Sequence, residues 1–213
     1  MSKIILDFGS GNTCRNNKDY IKQMYLKLKR VDGGRHEVVV KWQLFKVAGA
    51  NKPLTEDSFD YAYKLGQEMG YQVTASVADL DSLNFLLNYD VPFVKIANNR
   101  SHDFLISYIP DEVPVYISKS EELVGLPKGK EYKEFWCIRQ YPATVKAYEN
   151  LPLSQGCCIS DHTENFELFN KYNPEIIEWH YKLKYSTGLD AGKFARTPGE
   201  LINILSDGKN HSS

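Results

Sequence analysis

Short apolar, β-rich runs alternate with polar or amphipathic segments along the whole chain. Eight such runs predict eight strands, over 4–8, 37–45, 72–77, 93–97, 115–118, 135–139, 156–160 and 176–180. Between the first two runs, apolar residues recur at Ile21, Met24, Tyr25 and Leu28. Because this i, i+3, i+4, i+7 spacing forms one face of a helix, it predicts a helix over 16–30.

Helical spacing and capping signals recur after most of the other runs. They predict helices near 57–69, 80–89, 101–109, 164–171 and 197–206. The last of these opens with Thr197, Pro198 and Glu200, which suit an N-cap, a first helical position and an acidic first turn. The segment 119–134 is so rich in charge, glycine and proline that we predict a loop there with at most one helical turn.

A strand followed by a helix, repeated eight times, is the pattern of a closed parallel (β/α)8 barrel, the TIM-barrel architecture of the α/β class. At 213 residues the barrel is small, so some helices must be short or missing. We expect one domain over 1–213, with 207–213 as a disordered tail. An open doubly wound sheet is the alternative, because strand counts from one sequence are approximate.

The composition gives no sign of binding to nucleic acid or of attachment to a membrane. The chain has 26 Lys and Arg against 27 Asp and Glu, so its formal net charge is −1, which gives no reason to expect nucleic acid or a polybasic membrane anchor. No uncharged run approaches the roughly 20 residues of a membrane-spanning helix, and the first residues do not form a signal peptide. We therefore expect a cytoplasmic protein. Its four cysteines are expected as reduced, mostly buried thiols.

The alternation along the predicted strands brings polar side chains to one end of the barrel. In the second strand, Val39, Lys41 and Gln43 face the barrel interior if Val38, Val40 and Trp42 face the helices. The corresponding inward sets elsewhere are Ile5 and Asp7; Phe93, Lys95 and Ala97; Phe135, Cys137 and Arg139; Cys158, Ser160 and His162; and Ile176, Glu178 and His180. Six strands thus deliver a polar or ionisable group to the rim where barrel enzymes have their active sites.

Three of these inward groups are cations. Burying Lys41, Lys95 and Arg139 in one mouth without anionic partners would cost several kcal/mol each. A carboxylate or phosphate ligand would explain the cluster. Asp7 and Glu178 could instead supply the compensating charge from within the protein.

Two histidines face the same rim from neighbouring strands. His162 and His180, with Asp190 shortly after the last strand, suit a divalent cation that accepts nitrogen and oxygen ligands. Asp161 is the candidate to orient one of the imidazole rings.

Several segments together resemble the N-acetylneuraminate (sialic acid) synthase family. They are 39–43 (Val-Val-Lys-Trp-Gln), 91–97 (Val-Pro-Phe-Val-Lys-Ile-Ala), 140–142 (Gln-Tyr-Pro), 159–163 (Ile-Ser-Asp-His-Thr) and 177–180 (Ile-Glu-Trp-His). The Ser-Asp-His-Thr tetrapeptide followed by Glu-x-His is the most specific part. The resemblance runs from about residue 4 to 205 and is that of a remote relative.

The resemblance implies an activity and its residues. Members of that family are (β/α)8 enzymes that condense phosphoenolpyruvate with an aldehyde sugar, releasing phosphate and forming a 2-keto acid. Their divalent metal, manganese or magnesium, is held by histidines that match His162 and His180. Positions matching the phosphoenolpyruvate site are Lys41, Ser76, Lys95, Ser118 and Ser160, with Asp7 where the family has a strand-one Glu. The resemblance is also compatible with a homodimer.

The chain departs from the family pattern at two cations. Where the family has Lys-Ile-x-Ser-Gly-Glu, with the Glu proposed to transfer a proton, 95–100 reads Lys-Ile-Ala-Asn-Asn-Arg. Arg100 therefore stands in the place of an acid, two residues after Asn98, and Arg139 stands where the family has Asn. We accordingly place Arg100 and Arg139 with Asp7, Lys41 and Lys95 in the predicted catalytic set. Asn98 and Arg139 join the predicted substrate-binding set.

Three functions are compatible with these residues. The first is the family's condensation, with Arg100 and Arg139 holding a more anionic acceptor such as a phosphosugar. The second is a barrel with altered chemistry on another anionic metabolite. The third is a non-catalytic module for anion binding or assembly, which the missing acid and the small size of the chain would favour.

Overall fold

Eight parallel strands close into one barrel in the computed structural model, which describes residues 1–46, 49 and 51–206. The predicted tail at 207–213 lies outside the described residues. The strands are β1 (Lys3–Asp7), β2 (Glu37–Leu44), β3 (Gln72–Val77), β4 (Val94–Ile96), β5 (Val115–Lys119), β6 (Tyr132–Cys137), β7 (Cys158–Asp161) and β8 (Ile176–His180). Each strand pairs with the next, and β8 pairs with β1. The predicted (β/α)8 barrel is confirmed, and the open sheet is wrong.

Helices lie between most of the strands. They are α1 (Gly11–Cys14), α2 (Lys18–Val31), α3 (Glu56–Glu68), α4 (Leu80–Leu86), α5 (Val145–Glu149), α6 (Glu167–Tyr172) and α7 (Pro198–Leu205), with 3₁₀ helices over Arg100–Tyr108 and Leu189–Ala191. Between β5 and β6, residues 120–131 form no helix, as expected for a small barrel. None of the helices in the described residues is long and apolar enough to cross a membrane.

The sixth strand differs from its prediction at both ends. It begins at Tyr132 and ends at Cys137, so 132–134 is strand rather than loop, and Arg139 lies beyond the strand. The charges that suggested a loop are paired with neighbouring elements: Lys133 Nζ lies 2.9 Å from Glu175 Oε1, and Glu134 pairs with Lys119. The charges there therefore belong to ion pairs between β6 and neighbouring elements rather than to a loop.

Alternation along the strands separates two apolar clusters. Val38, Val40 and Trp42 belong to the large cluster between the strands and the helices, whereas Val39 belongs to a smaller cluster inside the barrel. The apolar face of α2 is buried in the large cluster, as its spacing predicted.

The smaller cluster closes the lower half of the barrel. Its members are Ile5, Val39, Phe93, Tyr116, Phe135, Cys158 and Ile176. Phe93 and Tyr116 stack with their ring centroids 3.8 Å apart, and Tyr116 lies 5.4 Å from Phe135. Two residues further along several of the same strands, the inward side chains become polar and surround a cavity.

Candidate active site

A cavity of about 270 Å³ lies at the carboxyl ends of the strands. It is near the lower end of the size range of small-molecule sites. The predicted site residues that line it are Asp7, Lys41, Ser76, Lys95, Asn98, Ser118, Ser160, His162, His180 and Asp190. The predicted residues Arg100 and Arg139 do not line it.

Lys41 is a fixed cation in the cavity wall. Its Nζ lies 2.7 Å from Asp7 Oδ2, and both side chains are buried. Asp7 Oδ2 also accepts a hydrogen bond of 2.8 Å from Gln43, and Asp7 Oδ1 accepts one of 2.8 Å from the backbone N–H of Gly9. Burial alone would raise the pKa of Asp7, but the charges of Lys41 and His180 hold it below its ordinary value. Burial would likewise lower the pKa of Lys41, but Asp7 and Glu178 raise it.

Lys95 is buried in the same cavity with weaker compensation. Its ammonium nitrogen contacts Ser118 Oγ and lies 4.9 Å from the centre of the Phe135 ring. The nearest carboxylate oxygen, Glu178 Oε2, is 3.7 Å away. Burial lowers the pKa of Lys95 below its ordinary value; the charge of Glu178 opposes this shift, and that of Lys41 adds to it. The two lysines therefore differ in how firmly each holds its proton.

Glu178 stands between the two lysines. Its Oε1 accepts a hydrogen bond of 3.0 Å from Ser160 Oγ and lies 3.6 Å from Lys41 Nζ. Burial would raise the pKa of Glu178, but Lys41 and Lys95 lower it, so the carboxylate is ionised. The protein thus supplies counter-charge for its own lysines, as the alternative interpretation of the cluster proposed.

His162 is held at three points by the segment that follows β6. Its Nδ1 donates a hydrogen bond of 2.7 Å to the Ile138 carbonyl, and its backbone carbonyl accepts one of 2.9 Å from Ala143 N. Its backbone N–H donates to Tyr148 Oη at 3.1 Å, while that hydroxyl donates to the Ser160 carbonyl at 2.6 Å. Burial and the nearby His180 lower the pKa of His162 to about 3, so its imidazole is neutral.

His180 faces two carboxylates. Its Nδ1 lies 3.3 Å from Asp190 Oδ1 and 3.8 Å from Asp7 Oδ2. Burial would lower the pKa of His180, but the charge of Asp7 and the proximity of Asp190 raise it. Gln43 Nε2 donates to Asp190 Oδ1 at 2.9 Å and so links the two carboxylates. Asp190 is placed to orient the His180 ring.

The structure supports only part of the predicted metal site. Among residues 1–46, 49 and 51–206, no three His, Cys, Asp or Glu side chains form a group that could hold a metal ion. The rings of His162 and His180 are 5.3 Å apart, and in both the Nδ1 faces a protein oxygen, which leaves Nε2 as the available nitrogen. Of the two ions that the resemblance implies, Mn²⁺ accepts imidazole nitrogen more readily than Mg²⁺, which is bound through oxygen and keeps several waters.

Asp161 does not orient either imidazole. Its carboxylate accepts hydrogen bonds from Trp179 Nε1 at 2.9 Å and Thr163 N at 2.7 Å, and it lies 3.4 Å from Arg196. Because Ser160 faces the cavity, alternation turns Asp161 to the outside of the barrel. The prediction for Asp161 is wrong for this reason.

The two arginines lie outside the cavity. Arg100 Nη2 donates to the Ser118 carbonyl at 2.6 Å, and Nη1 lies 3.2 Å from Asp103 Oδ2. Arg139 is exposed beyond the end of β6, since that strand ends two residues earlier than predicted. It is near enough to His102 for its charge to add to burial in lowering the pKa of that imidazole.

Several other lining residues were not predicted as part of the site. One is Tyr141, which packs on His162 with ring centroids 4.3 Å apart, and His102, Asn51 and Glu178 are three more. Glu178 was considered only as a counter-charge, although its alternation with His180 placed it inward. Tyr141 belongs to one of the segments that carry the resemblance. Asn51 and His102 come from loops, where strand alternation gives no signal.

Known structures resemble the whole described fold. N-acetylneuraminic acid (sialic acid) synthetase from Leptospira borgpetersenii serovar Hardjo-bovis, in complex with citrate, superposes with a TM-score of 0.72 at 18% identity, covering 99% of this chain and 87% of that one. A putative spore coat polysaccharide biosynthesis protein E from Chromobacterium violaceum gives 0.71 at 15% identity, covering 100% and 78%. The resemblance predicted from the sequence is thus confirmed at the level of the fold.

A more distant barrel has the same architecture. The truncated 3-deoxy-D-arabino-heptulosonate 7-phosphate synthase from Thermotoga maritima gives a TM-score of 0.61 at 12% identity, covering 96% of this chain and 84% of that one. No protein-family model matches the chain, and no curated protein matches its sequence. The comparisons therefore establish the barrel fold, and the chemistry is argued from the site.

Proposed function

We propose that this chain condenses phosphoenolpyruvate with an aldehyde sugar, with the help of a divalent metal ion, to give a 2-keto acid and free phosphate. The observation that carries the proposal is the convergence of Lys41, Lys95, His162 and His180 on one cavity at the carboxyl ends of the strands. The resemblance to sialic acid synthases supports it. So does the fold of a synthase whose product, a heptulosonate 7-phosphate, is itself a keto sugar acid.

The carboxylate and phosphate of phosphoenolpyruvate need fixed cations and hydroxyl donors. Lys41 supplies a permanent charge, because Asp7 keeps it protonated. Ser160 and Ser118 present hydroxyls beside Glu178 and Lys95 respectively, and both line the cavity. In this account Asp7 holds the cation in place from the position of the family's strand-one Glu.

The metal ion would be held by the Nε2 atoms of His162 and His180, with substrate oxygens or water completing its coordination. When bound, such an ion polarises the acceptor's aldehyde oxygen as a Lewis acid. The contribution of the chain is to keep His162 neutral and oriented through the Ile138 carbonyl, and to orient His180 through Asp190. We favour Mn²⁺ over Mg²⁺ on the chemistry of these ligands.

The acceptor would enter over the rim near Arg139. The structure turns Arg100 away to Ser118 and Asp103, so Arg139 is the cation left to meet an anionic acceptor such as a phosphosugar. His102 lines the cavity on this side, and its buried Nδ1 has no hydrogen-bond partner in the described structure. Its lowered pKa leaves it neutral, and it lies on the side of the cavity where the family has the acid that is proposed to transfer a proton and that Arg100 replaces here.

Release of inorganic phosphate tests the proposal. The purified protein is incubated with phosphoenolpyruvate, Mn²⁺ and either N-acetylmannosamine or an aldose phosphate, and free phosphate is measured. We expect acceptor-dependent release that is lost in Lys95→Ala and in His162→Ala. Lys119→Arg is the control, because Lys119 is buried but does not line the cavity. Undiminished release in His162→Ala would overturn the proposal.

The second candidate is altered chemistry on another anionic metabolite. It is favoured by the acid that is missing at position 100, where this chain has an arginine. A melting screen against pyruvate, sugar phosphates and nucleotides separates it from the first, since a ligand at 100 times its Kd stabilises by about 2.7 kcal/mol. If no anion shifts the melting and no metal binds, a non-catalytic module becomes the better explanation.

A further inference from the structure

Lys95 occupies a position unlike that of any other lysine in the described residues. It is 1% exposed, near the middle of the barrel, and it faces the cavity. Lys41, the other lysine in the cavity wall, has a carboxylate oxygen at 2.7 Å, whereas the nearest one to Lys95 Nζ is at 3.7 Å. Its close contacts are instead a hydroxyl, that of Ser118, and the face of the Phe135 ring.

The charged and titratable groups around Lys95 come from four other strands. Glu178 and Asp7 favour its protonated form, Lys41 opposes it, and Cys137 is a buried thiol whose pKa burial raises to about 11. Burial is the largest influence, and it holds the pKa of Lys95 below that of an ordinary lysine. A desolvated amine next to another cation is the environment in which lysine acts as a nucleophile.

An acceptor for a proton lies beside this amine. Glu178 Oε2 is buried and has no hydrogen-bond partner in the described structure, although Oε1 of the same carboxylate is bound by Ser160. Buried polar atoms are rarely left unpaired, and exceptions call for an explanation. This oxygen lies 3.7 Å from Lys95 Nζ, and both residues line the cavity.

We propose that Lys95 forms an imine with the carbonyl carbon of a 2-keto acid, of which pyruvate is the simplest, so that the cavity supports aldol-type chemistry through an enamine. The carboxylate of the keto acid is bound by Lys41, which keeps its charge. This activity needs no metal ion and no phosphate, and it rests only on the cavity and its side chains. It therefore stands or falls separately from the condensation proposed above.

The step balances as follows. The unprotonated amine of Lys95 attacks the keto carbon, and a C–N bond forms while the C–O double bond becomes single. The proton that the ammonium form gives up before this attack goes to water. The oxygen then leaves as water with one proton from the nitrogen and one taken back from the solvent, which gives a protonated imine. Glu178 accepts a proton from the adjacent methyl carbon, and the resulting enamine forms a C–C bond with the aldehyde carbon. The aldehyde oxygen takes the proton from Glu178, and water hydrolyses the imine to release the 2-keto acid product and the amine of Lys95. The reverse sequence cleaves the same C–C bond.

Borohydride trapping with pyruvate tests the imine. The full-length protein is treated at neutral pH with pyruvate and sodium borohydride, then analysed by intact mass and by peptide mapping. We expect one reduced pyruvate-derived group, located on Lys95, and no such group without pyruvate. The Lys95→Arg variant should lose the adduct. The Lys119→Arg variant should retain it, because Lys119 is buried but lies outside the cavity.

The wild-type peptide map decides the question even if Lys95→Arg does not fold. An adduct confined to surface lysines or to the N-terminus, or no pyruvate-dependent adduct at all, would overturn the proposal. Added phosphoenolpyruvate should protect Lys95 if both ligands use this cavity. Trapping without such protection would retain the imine and count against the condensation, so the two proposals can fail independently.

Exchange of the pyruvate methyl protons with deuterated water tests Glu178. The enamine step predicts exchange catalysed by the wild-type protein and followed by NMR. Glu178→Gln should slow this exchange about 100-fold, a typical contribution for a general base, while borohydride still traps the imine on Lys95. Exchange at the wild-type rate in that variant would remove Glu178 from the mechanism.

Discussion

The lower and upper layers of the barrel interior are built from the same strands but have opposite chemistry. The lower layer comprises the apolar residues Ile5, Val39, Phe93, Tyr116, Phe135, Cys158 and Ile176. The upper layer comprises the cavity residues Asp7, Lys41, Lys95, Ser118, Ser160 and Glu178. The step from one layer to the other is two residues, from Ile5 to Asp7 on β1, from Val39 to Lys41 on β2, and from Phe93, just before β4, to Lys95 on β4. In each of these three pairs, the apolar residue of the lower layer and the polar residue of the cavity are therefore successive inward-facing positions.

The two layers respond differently to substitution because their energies differ in kind. Apolar packing inside a barrel stabilises the fold directly, and its loss leaves a cavity. Buried charges stabilise little as pairs, because desolvation offsets their attraction, but removing one partner leaves the other uncompensated. We therefore expect the lower layer to determine stability and the upper layer to determine ligand binding.

Phe93→Ala should give the largest loss of stability. The ring is 1% exposed and stacks on Tyr116, so its removal should cost about 3–5 kcal/mol of unfolding free energy. Urea denaturation measures this, with Phe93→Leu as the control that keeps an apolar side chain of intermediate size and should cost less than Phe93→Ala. A loss below about 1 kcal/mol in Phe93→Ala would show that the lower layer is not the stabilising one.

Compared with Phe93→Ala, Asp7→Asn should have a smaller effect on the unfolding free energy and a larger effect on ligand binding. Lys41 would lose its partner at 2.7 Å but retain Glu178 at 3.6 Å. We therefore expect a loss of about 2–3 kcal/mol, less than the 3–5 kcal/mol typical of a buried charge left with no partner. Denaturation and calorimetric titration with phosphoenolpyruvate measure the two effects. An unchanged affinity would contradict the assignment of Lys41 as the anion-binding cation.

Acid should weaken the ion pair of Asp7 in the upper layer and leave the apolar packing of the lower layer unchanged. The pKa of Asp7 in the folded state lies below its value in the unfolded chain, which is about 3.9. Its contribution to stability is therefore complete above that pH and is lost as the pH falls toward the folded pKa. Unfolding free energy measured from pH 6 downward should fall less steeply in Asp7→Asn than in wild type. Phe93→Leu should keep the wild-type slope, and equal slopes in all three proteins would contradict the prediction.

Tyr148→Phe should give the smallest effect. The variant removes the hydroxyl that joins the Ser160 carbonyl to the His162 N–H, at a cost of about 1–2 kcal/mol. Because His162 would lose one of its three anchors, Mn²⁺ affinity measured by calorimetry should fall about 10-fold. Unchanged affinity together with lost stability would make Tyr148 structural only.

Strand alternation predicted much of the fold and of the site. Lys41, Lys95 and His180 point inward as their positions in apolar strands required, and the period of two is enforced wherever one face is buried. The prediction failed at Arg139, where paired charges on β6 concealed the start of the strand and shifted its apparent end.

Contacts between distant loops could not be predicted in the same way. Asp190 was predicted as a metal ligand, and its link to Asp7 through Gln43 depends on how the loop after β8 folds back over the barrel. The roles of Asn51 and His102 likewise depend on loop paths. Neither residue lies in a strand, so no alternation of apolar and polar positions predicts where its side chain points.

Stabilisation by phosphoenolpyruvate is the most direct test of the claim that the upper layer is an anion site. At 100 times its Kd, phosphoenolpyruvate should raise the unfolding free energy of the wild-type protein by about 2.7 kcal/mol. Phe93→Leu, which changes only the lower layer, should show the same increase, and Lys41→Met should show none at that concentration. An equal increase in Lys41→Met, or no increase in the wild-type protein, would contradict the account.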